Sequence, residues 1–151
     1  MTGSDVMAQF LPTSPLVAKL GIVAENLADG QVRLRMPWDP SNATIADMVH
    51  GGAIATLADV TVMATAWAGA EVPGELRGVT VSMSLQYLAP ARATDLIGVG
   101  HVLRRGHSLV HCDVDVLTPR RHTRGEGRRD LQARVITREC ETSARKLPKN
   151  R

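Results

Sequence analysis

The sequence predicts an α+β domain in which an antiparallel sheet curls around one enclosed helix. Three observations carry that expectation. Gly52 to Gly69 is a single long segment of helical length that is apolar almost all round. After Pro73-Gly74 the hydrophobic period becomes two and stays there. The strands that follow are joined mostly by links of hairpin length, and such links argue for antiparallel neighbours because parallel ones need crossovers of about a dozen residues or more. One enclosed helix against such a sheet gives two layers around one core.

Residues 1–20 read as a poorly determined N-terminal segment, with a short helix around Pro15–Leu20. Gln31–Met36 alternates, with Val32, Leu34 and Met36 on one face and Gln31, Arg33 and Arg35 on the other, which is a half-buried strand. Trp38–Asp47, rich in Pro, Asp, Ser and Asn, reads as a loop. The helix Gly52–Gly69 follows, and its lack of a polar face predicts enclosure. In the next strand Val79, Val81, Met83, Leu85 and Tyr87 share one face, Thr80, Ser82, Ser84 and Gln86 share the other, and Pro90 ends it. Asp95–Leu103 is a further strand, Arg104-Arg105-Gly106-His107 a hairpin turn, and Leu109–Leu117 a strand whose Val110, Cys112, Val114 and Val116 alternate with His111, Asp113 and Asp115. Pro119–Arg129 is an arginine-rich connection and Asp130–Arg138 a last strand. The organisation is therefore an N-terminal segment (1–20), a single domain (21–140) and a basic, frayed tail (141–151).

The 151 residues, 44% of them hydrophobic, suffice for one core. With only Phe10, Trp38, Trp67 and Tyr87 as aromatics, that core must be aliphatic and Ala-rich. The net charge of +3 hides an asymmetry: residues 1–118 carry 7 basic and 11 acidic side chains, and residues 119–151 carry 11 and 4. A mildly acidic body thus ends in a strongly basic fifth. For the arginine-rich segment three readings stand in order: a solvated loop, a phosphate-binding flap, and a nucleic-acid contact. Aromatics for base stacking are absent there, so no nucleic-acid partner is expected. Cys112 and Cys140, the two cysteines, read as reduced thiols. The first twenty residues lack a basic n-region and are interrupted by Pro12 and Pro15, so the expected location is cytoplasmic. The run Ala53–Ala70 approaches the length of a membrane span, but a mid-bilayer Asp59 would cost ~3 kcal/mol or more. No membrane association is expected.

The informative stretch is His50-Gly51-Gly52-Ala53-Ile54-Ala55-Thr56-Leu57-Ala58-Asp59. Glycines at a helix start allow close approach to the backbone and leave N–H groups at the positive end of the helix dipole, where developing negative charge is stabilised. A carboxylate on an otherwise apolar helix must face a polar cleft or have a task, since burying it unpaired is costly. From Gly52 to Asp59 is about 10.5 Å along a helix axis. One helix therefore cannot aim both features at one small carbonyl. If they act together, they come from two copies of the helix running antiparallel about a two-fold axis.

The pattern H-G-G-x-x-x-x-L-x-D, the later strand ending Tyr87-Leu88-Ala89-Pro90-Ala91, and Leu103-Arg104-Arg105-Gly106 resemble the hotdog-fold acyl-CoA thioesterases of the phenylacetate-pathway (PaaI-like) type, over residues 20–118 and more loosely to 138. The resemblance implies a sheet wrapped round a central helix, a homodimer or homotetramer with sites at the dimer interface, and hydrolysis of acyl-CoA without metal or cofactor. It implies that the Gly51 N–H polarises the thioester oxygen, that Asp59 of the other subunit is nucleophile or general base, and that His50 shapes the helix start. It also places Thr80 where a hydroxyl often orients the attacking water. Gly52, Met48 and Met63 would contact substrate, with aryl or medium-chain acyl groups expected. Arg104, Arg105 and His107 are either a solvated turn or contacts to coenzyme A phosphates.

Two positions depart from the family pattern. Thr44 and Asp47 stand where members often carry Asn and Gly, so either Thr44 or Asn42 inherits an orienting role. These departures keep alive a non-catalytic acyl-CoA-binding protein, and a hotdog hydratase or dehydratase is a further alternative. His111, Asp113 and Asp115 on one strand face are what any solvated sheet shows, so no metal is expected.

Overall fold

The computed structural model describes residues 1–72, 78–119 and 131–141. The expected turn at Pro73-Gly74, nearly all of the arginine-rich connection and the tail beyond Glu141 lie outside the described residues. In chain order the elements are α1 (Gly3–Phe10), α2 (Pro15–Lys19), β1 (Val23–Ala28), β2 (Gln31–Met36), β3 (Ala43–Ile45), β4 (Met48–Val49), α3 (Gly51–Ala68), β5 (Val79–Tyr87), β6 (Leu96–Arg105), β7 (Leu109–Leu117) and β8 (Leu131–Glu141).

Six strands form one antiparallel sheet in the order β1-β2-β6-β7-β8-β5, and β3-β4 form a separate small hairpin. The sheet packs on α3 with all six of its strands. Val32, Leu34 and Met36 from β2, and Val110, Cys112, Val114 and Val116 from β7, are buried beneath the helix, as their alternation predicts. The expected antiparallel α+β architecture is the one observed.

Several local expectations change. β5 does not pair with the next strand in sequence but with β8, at the far edge of the sheet. Short links identify antiparallel pairing only between strands that are actually adjacent, and Ala89–Asp95 is used instead to reach the β3-β4 hairpin. Within the expected loop Trp38–Asp47 lies β3, which pairs with β4; that hairpin is held to residues 91–93 through Val49 N–H to Ala91 O (2.9 Å) and Ala93 N–H to Asp47 O (2.8 Å). Arg104 and Arg105 belong to β6, whose ladder bulges between Val102 and Arg104, so the strand runs two residues past Leu103 and the turn is residues 106–108.

Residues 1–20 are also more ordered than the sequence suggested. Thr2 caps α1 through a reciprocal capping box with Asp5, and Val6, Met7 and Leu11 enter the core. The Asp5 carboxyl is held below its ordinary value, first by the Thr2 backbone N–H and then by the Thr2 hydroxyl. Ser4 donates its hydroxyl to the carbonyls of Leu27 and Ala68, joining α1 to β1 and to the end of α3.

The helix comes unusually near the sheet at Gly98 and Gly100 of β6. A Cβ on Gly98 would run into the Thr61 hydroxyl, and one on Gly100 into that of Thr65. Both threonines are fully buried, and each satisfies its hydroxyl within the helix, Thr61 on Leu57 O (2.7 Å) and Thr65 on Thr61 O (2.6 Å). Gly100→Ala is expected to destabilise the fold by about 1–3 kcal/mol through overpacking. Adding Thr65→Ala should recover part of that loss in urea denaturation, and an additive double mutant would contradict the steric account.

Candidate active site

Twelve of the 18 residues of α3 are buried; the remainder are Gly51, Gly52, Ala55, Thr56, Asp59 and Met63. From Gly52 onward these follow one another at three- and four-residue spacing, so they form a single stripe along the helix. The groups singled out by chemistry lie on this stripe or at its start.

Asp59 sits half-buried in the middle, where its Oδ1 accepts a hydrogen bond from the Thr80 hydroxyl at 2.7 Å. Simple alternation put Thr80 on the face opposite Met83 and Leu85. The structure corrects this: the β5–β8 ladder shifts register between Thr80 and Ser82 and again between Ser82 and Met83. The irregularity changes the phase, re-aiming one side chain as bulges do. Thr80 therefore turns to the helix, Met83 and Leu85 still pack on the core, and Val79 and Val81, expected inside, are 62% and 49% exposed.

At the start of α3, His50 is the N-cap residue with φ −64° and ψ 134°, and its Nδ1 accepts from the Gly52 N–H at 2.8 Å. That bond leaves only Nε2 for other chemistry. The Gly51 N–H has no acceptor among the described residues, as the first turn of a helix allows. The Gly51 carbonyl accepts from the Tyr87 hydroxyl at 3.0 Å, a contact the sequence reading did not assign. The signal was present, since Tyr87 is the lone tyrosine and ends the strand that also holds Thr80. Along the axis Gly51 and Asp59 are about 12 Å apart.

The remaining candidates spread over both ends of the helix. Asn42 is half-buried, and its carbonyl accepts the His50 N–H (2.8 Å), whereas Thr44 is exposed on β3. Asp47, the charged departure from the family pattern, is paired with Arg92 at 2.7 Å. Met48 is half-buried beside the helix start, and Met63 lies one turn beyond Asp59, so a single chain does not bring the two together. Arg104 and His107 are exposed near the C-terminal end of α3, and Arg105 donates to the Ala66 carbonyl there at 2.7 Å. Among the described residues no group of three or more His, Cys, Asp or Glu is placed to hold a metal.

The thioesterase superfamily profile matches residues 46–123, which span the helix, β5, β6 and β7. A protein of Halobacterium salinarum that carries an inferred esterase assignment is 30% identical over 128 residues, covering 79% of this chain and 84% of its own length. Among solved structures, a thioesterase family protein from Silicibacter pomeroyi has a TM-score of 0.80 at 21% identity, covering 92% of this chain and 96% of that one. The E. coli PaaI protein of the phenylacetic acid degradation operon has a TM-score of 0.72 at 17% identity, covering 94% of each chain. The fold is a hotdog fold. The chain belongs to the thioesterase superfamily, whose chemistry is thioester hydrolysis.

The Arg105 bond to Ala66 supplies a cation and a donor to the carbonyl end of the α3 dipole. Arg105→Leu should lower stability by about 1 kcal/mol, given its exposure. Weaker coenzyme A binding at unchanged stability would instead make Arg105 a phosphate contact.

Proposed function

We propose that the protein hydrolyses acyl-CoA thioesters as a homodimer in the cytoplasm, with sites made from Gly51 of one subunit and Asp59 of its partner. The observation that carries this is the uncovered stripe on α3. Its two reactive features are too far apart to meet on one helix, yet a second α3 laid antiparallel across the stripe would bring each Gly51 to the other subunit's Asp59. β5 supports the arrangement. It is the last strand of the sheet, nine residues long, and its outer edge is unpaired among the described strands. Pairing two such edges would give a continuous sheet. Met48 and Met63, at opposite ends of the stripe, would also meet only across the two-fold. They would line a site suited to aryl or medium-chain acyl groups, and two such dimers could associate further.

In the general-base route Asp59 takes a proton from water as the water oxygen bonds to the thioester carbon. The carbonyl electrons move onto oxygen, which the Gly51 N–H at the helix start stabilises. Collapse of this intermediate breaks the C–S bond and releases the coenzyme A thiolate, which then takes up a proton. Its leaving ability resembles that of a cysteine thiol, with a pKa of about 8.5. In the nucleophilic route an Asp59 oxygen forms the bond, the C–S bond breaks to release the thiolate, and water opens the resulting anhydride to the free acid and the Asp59 carboxylate. In both, Thr80 occupies Oδ1 and leaves Oδ2 for the reaction.

Thiol release from an acyl-CoA panel tests the reading. Wild type should turn over at least one member, and Asp59→Asn should fall by about 10²–10⁴. A wild type inactive on the whole panel, or a fully active Asp59→Asn, would refute it. Binding without release would mark a non-catalytic protein; an altered acyl chain still joined to coenzyme A would mark a hydratase.

Gly51→Pro tests the two-subunit site. Proline suits the first helical position and lacks the N–H, its Cβ would meet Tyr87 only at an ordinary 3.6 Å, and His50 before it is already extended. Co-expressing Asp59→Asn with Gly51→Pro, each inactive alone, leaves one site intact in every mixed dimer. Random pairing should restore about a quarter of wild-type activity. No recovery from purified mixed dimers would place both groups in one subunit's site.

A further inference from the structure

We infer that Tyr87 is a positioning residue that holds the diglycine start of α3, and through it the Gly51 N–H, in its working orientation. The inference rests on the thioesterase reading for its kinetic arm only. A helix that opens with Gly51-Gly52 is poorly self-supporting, because glycine has the largest backbone freedom to lose and ranks near the bottom of helix formers. Two side chains hold this turn. His50 Nδ1 takes the Gly52 N–H at 2.8 Å, and the Tyr87 hydroxyl donates to the Gly51 carbonyl at 3.0 Å. The Tyr87 ring also lies against Gly51, 3.6 Å from where a Cβ would stand.

The His50 bond fixes the amide that follows Gly51. The Tyr87 bond fixes the carbonyl of that same peptide, so its plane is pinned at both atoms. The Gly51 N–H belongs to the preceding peptide, whose His50 carbonyl accepts from the Ala53 (2.9 Å) and Ile54 (3.2 Å) N–H groups. With the peptides on both sides of Gly51 held, that N–H keeps one direction. Tyr87 is 54% exposed, so it adds little to the core. Its hydroxyl is the part with a definite partner. β5 thereby holds both halves of the machinery, Asp59 through Thr80 and Gly51 through Tyr87.

The test compares Tyr87→Phe, which removes only the hydroxyl, with Tyr87→Leu, which removes the ring as well. Amide hydrogen exchange over Gly51–Ala55 should quicken by about tenfold or less in Tyr87→Phe, the size of one lost hydrogen bond, with exchange over Val60–Ala68 unchanged. On an acyl-CoA that wild type hydrolyses, kcat should drop by a similar factor while KM stays within about twofold. Tyr87→Leu should match or exceed both effects, and it supplies the exchange measurement should the Phe variant not fold. Unchanged exchange over Gly51–Ala55 in the folded variants overturns the inference, as does a wild-type kcat in Tyr87→Phe. Should wild type hydrolyse nothing, the functional reading fails, while the exchange arm still decides the role of Tyr87.

Discussion

Gly98 and Gly100 allow α3 to lie against β6 with the Thr61 and Thr65 hydroxyls where glycine Cβ atoms would otherwise stand. The rest of the structure depends on that close approach. It lets six strands wrap one 18-residue helix, and it works only because both hydroxyls are satisfied by carbonyls of the helix itself. A hydroxyl left unpaired at such a depth would cost about 1–3 kcal/mol. Dry contact on this side fixes which side of the helix is left over. The uncovered stripe from Gly52 to Met63 is the complement of the surface the sheet takes.

On that stripe and at the two ends of the helix, polar groups are held by side chains from elsewhere. Thr80 takes Asp59, Tyr87 takes the Gly51 carbonyl, His50 takes the Gly52 N–H, and Arg105 takes the Ala66 carbonyl. The first two come from β5 and the last from β6. Donors and acceptors fixed before a substrate arrives need little reorganisation when charge develops, which is the condition for strong electrostatic stabilisation. The Gly51 N–H differs from its neighbours in lacking a partner among the described residues, which in the proposed mechanism leaves it to meet the thioester oxygen. Asp47, which stands where the family often has Gly, is matched by Arg92.

The parts legible in the sequence were those set by local periodicity. β2 and β7 agree to the residue, β5 agrees at its start but ends at Tyr87 rather than at Pro90, and α3 agrees to within one position, because alternation and an unbroken apolar run leave few alternatives. The His50-Gly51-Gly52 start and Asp59 were legible for a different reason, since each breaks the pattern around it. β1 was missed because Val-Ala-Glu-Asn-Leu-Ala has no alternation, and five of its six residues are exposed. α1 was missed although its Thr2–Asp5 box was present, because a short amphipathic helix of eight residues looks unremarkable until something covers it. Pairing of β5 with β8 is a long-range choice that no window of sequence contains. Thr80 was named through family resemblance while its strand face was read wrongly, since alternation cannot see a bulge.

That bulge ties the site to assembly. By shifting phase between Thr80 and Met83, β5 turns the Thr80 hydroxyl onto Asp59 and, in the same step, turns Val79 and Val81 outward. Without it the valines would be covered and Asp59 would lose its donor. Exposed valines on an unpaired edge are a liability in an isolated chain, because such an edge invites pairing with another strand. In the proposed dimer the same edge is where the partner strand docks, and the liability becomes an attachment surface. A carboxylate that needs the second subunit for its chemistry would then be positioned by the irregularity that makes the second subunit necessary.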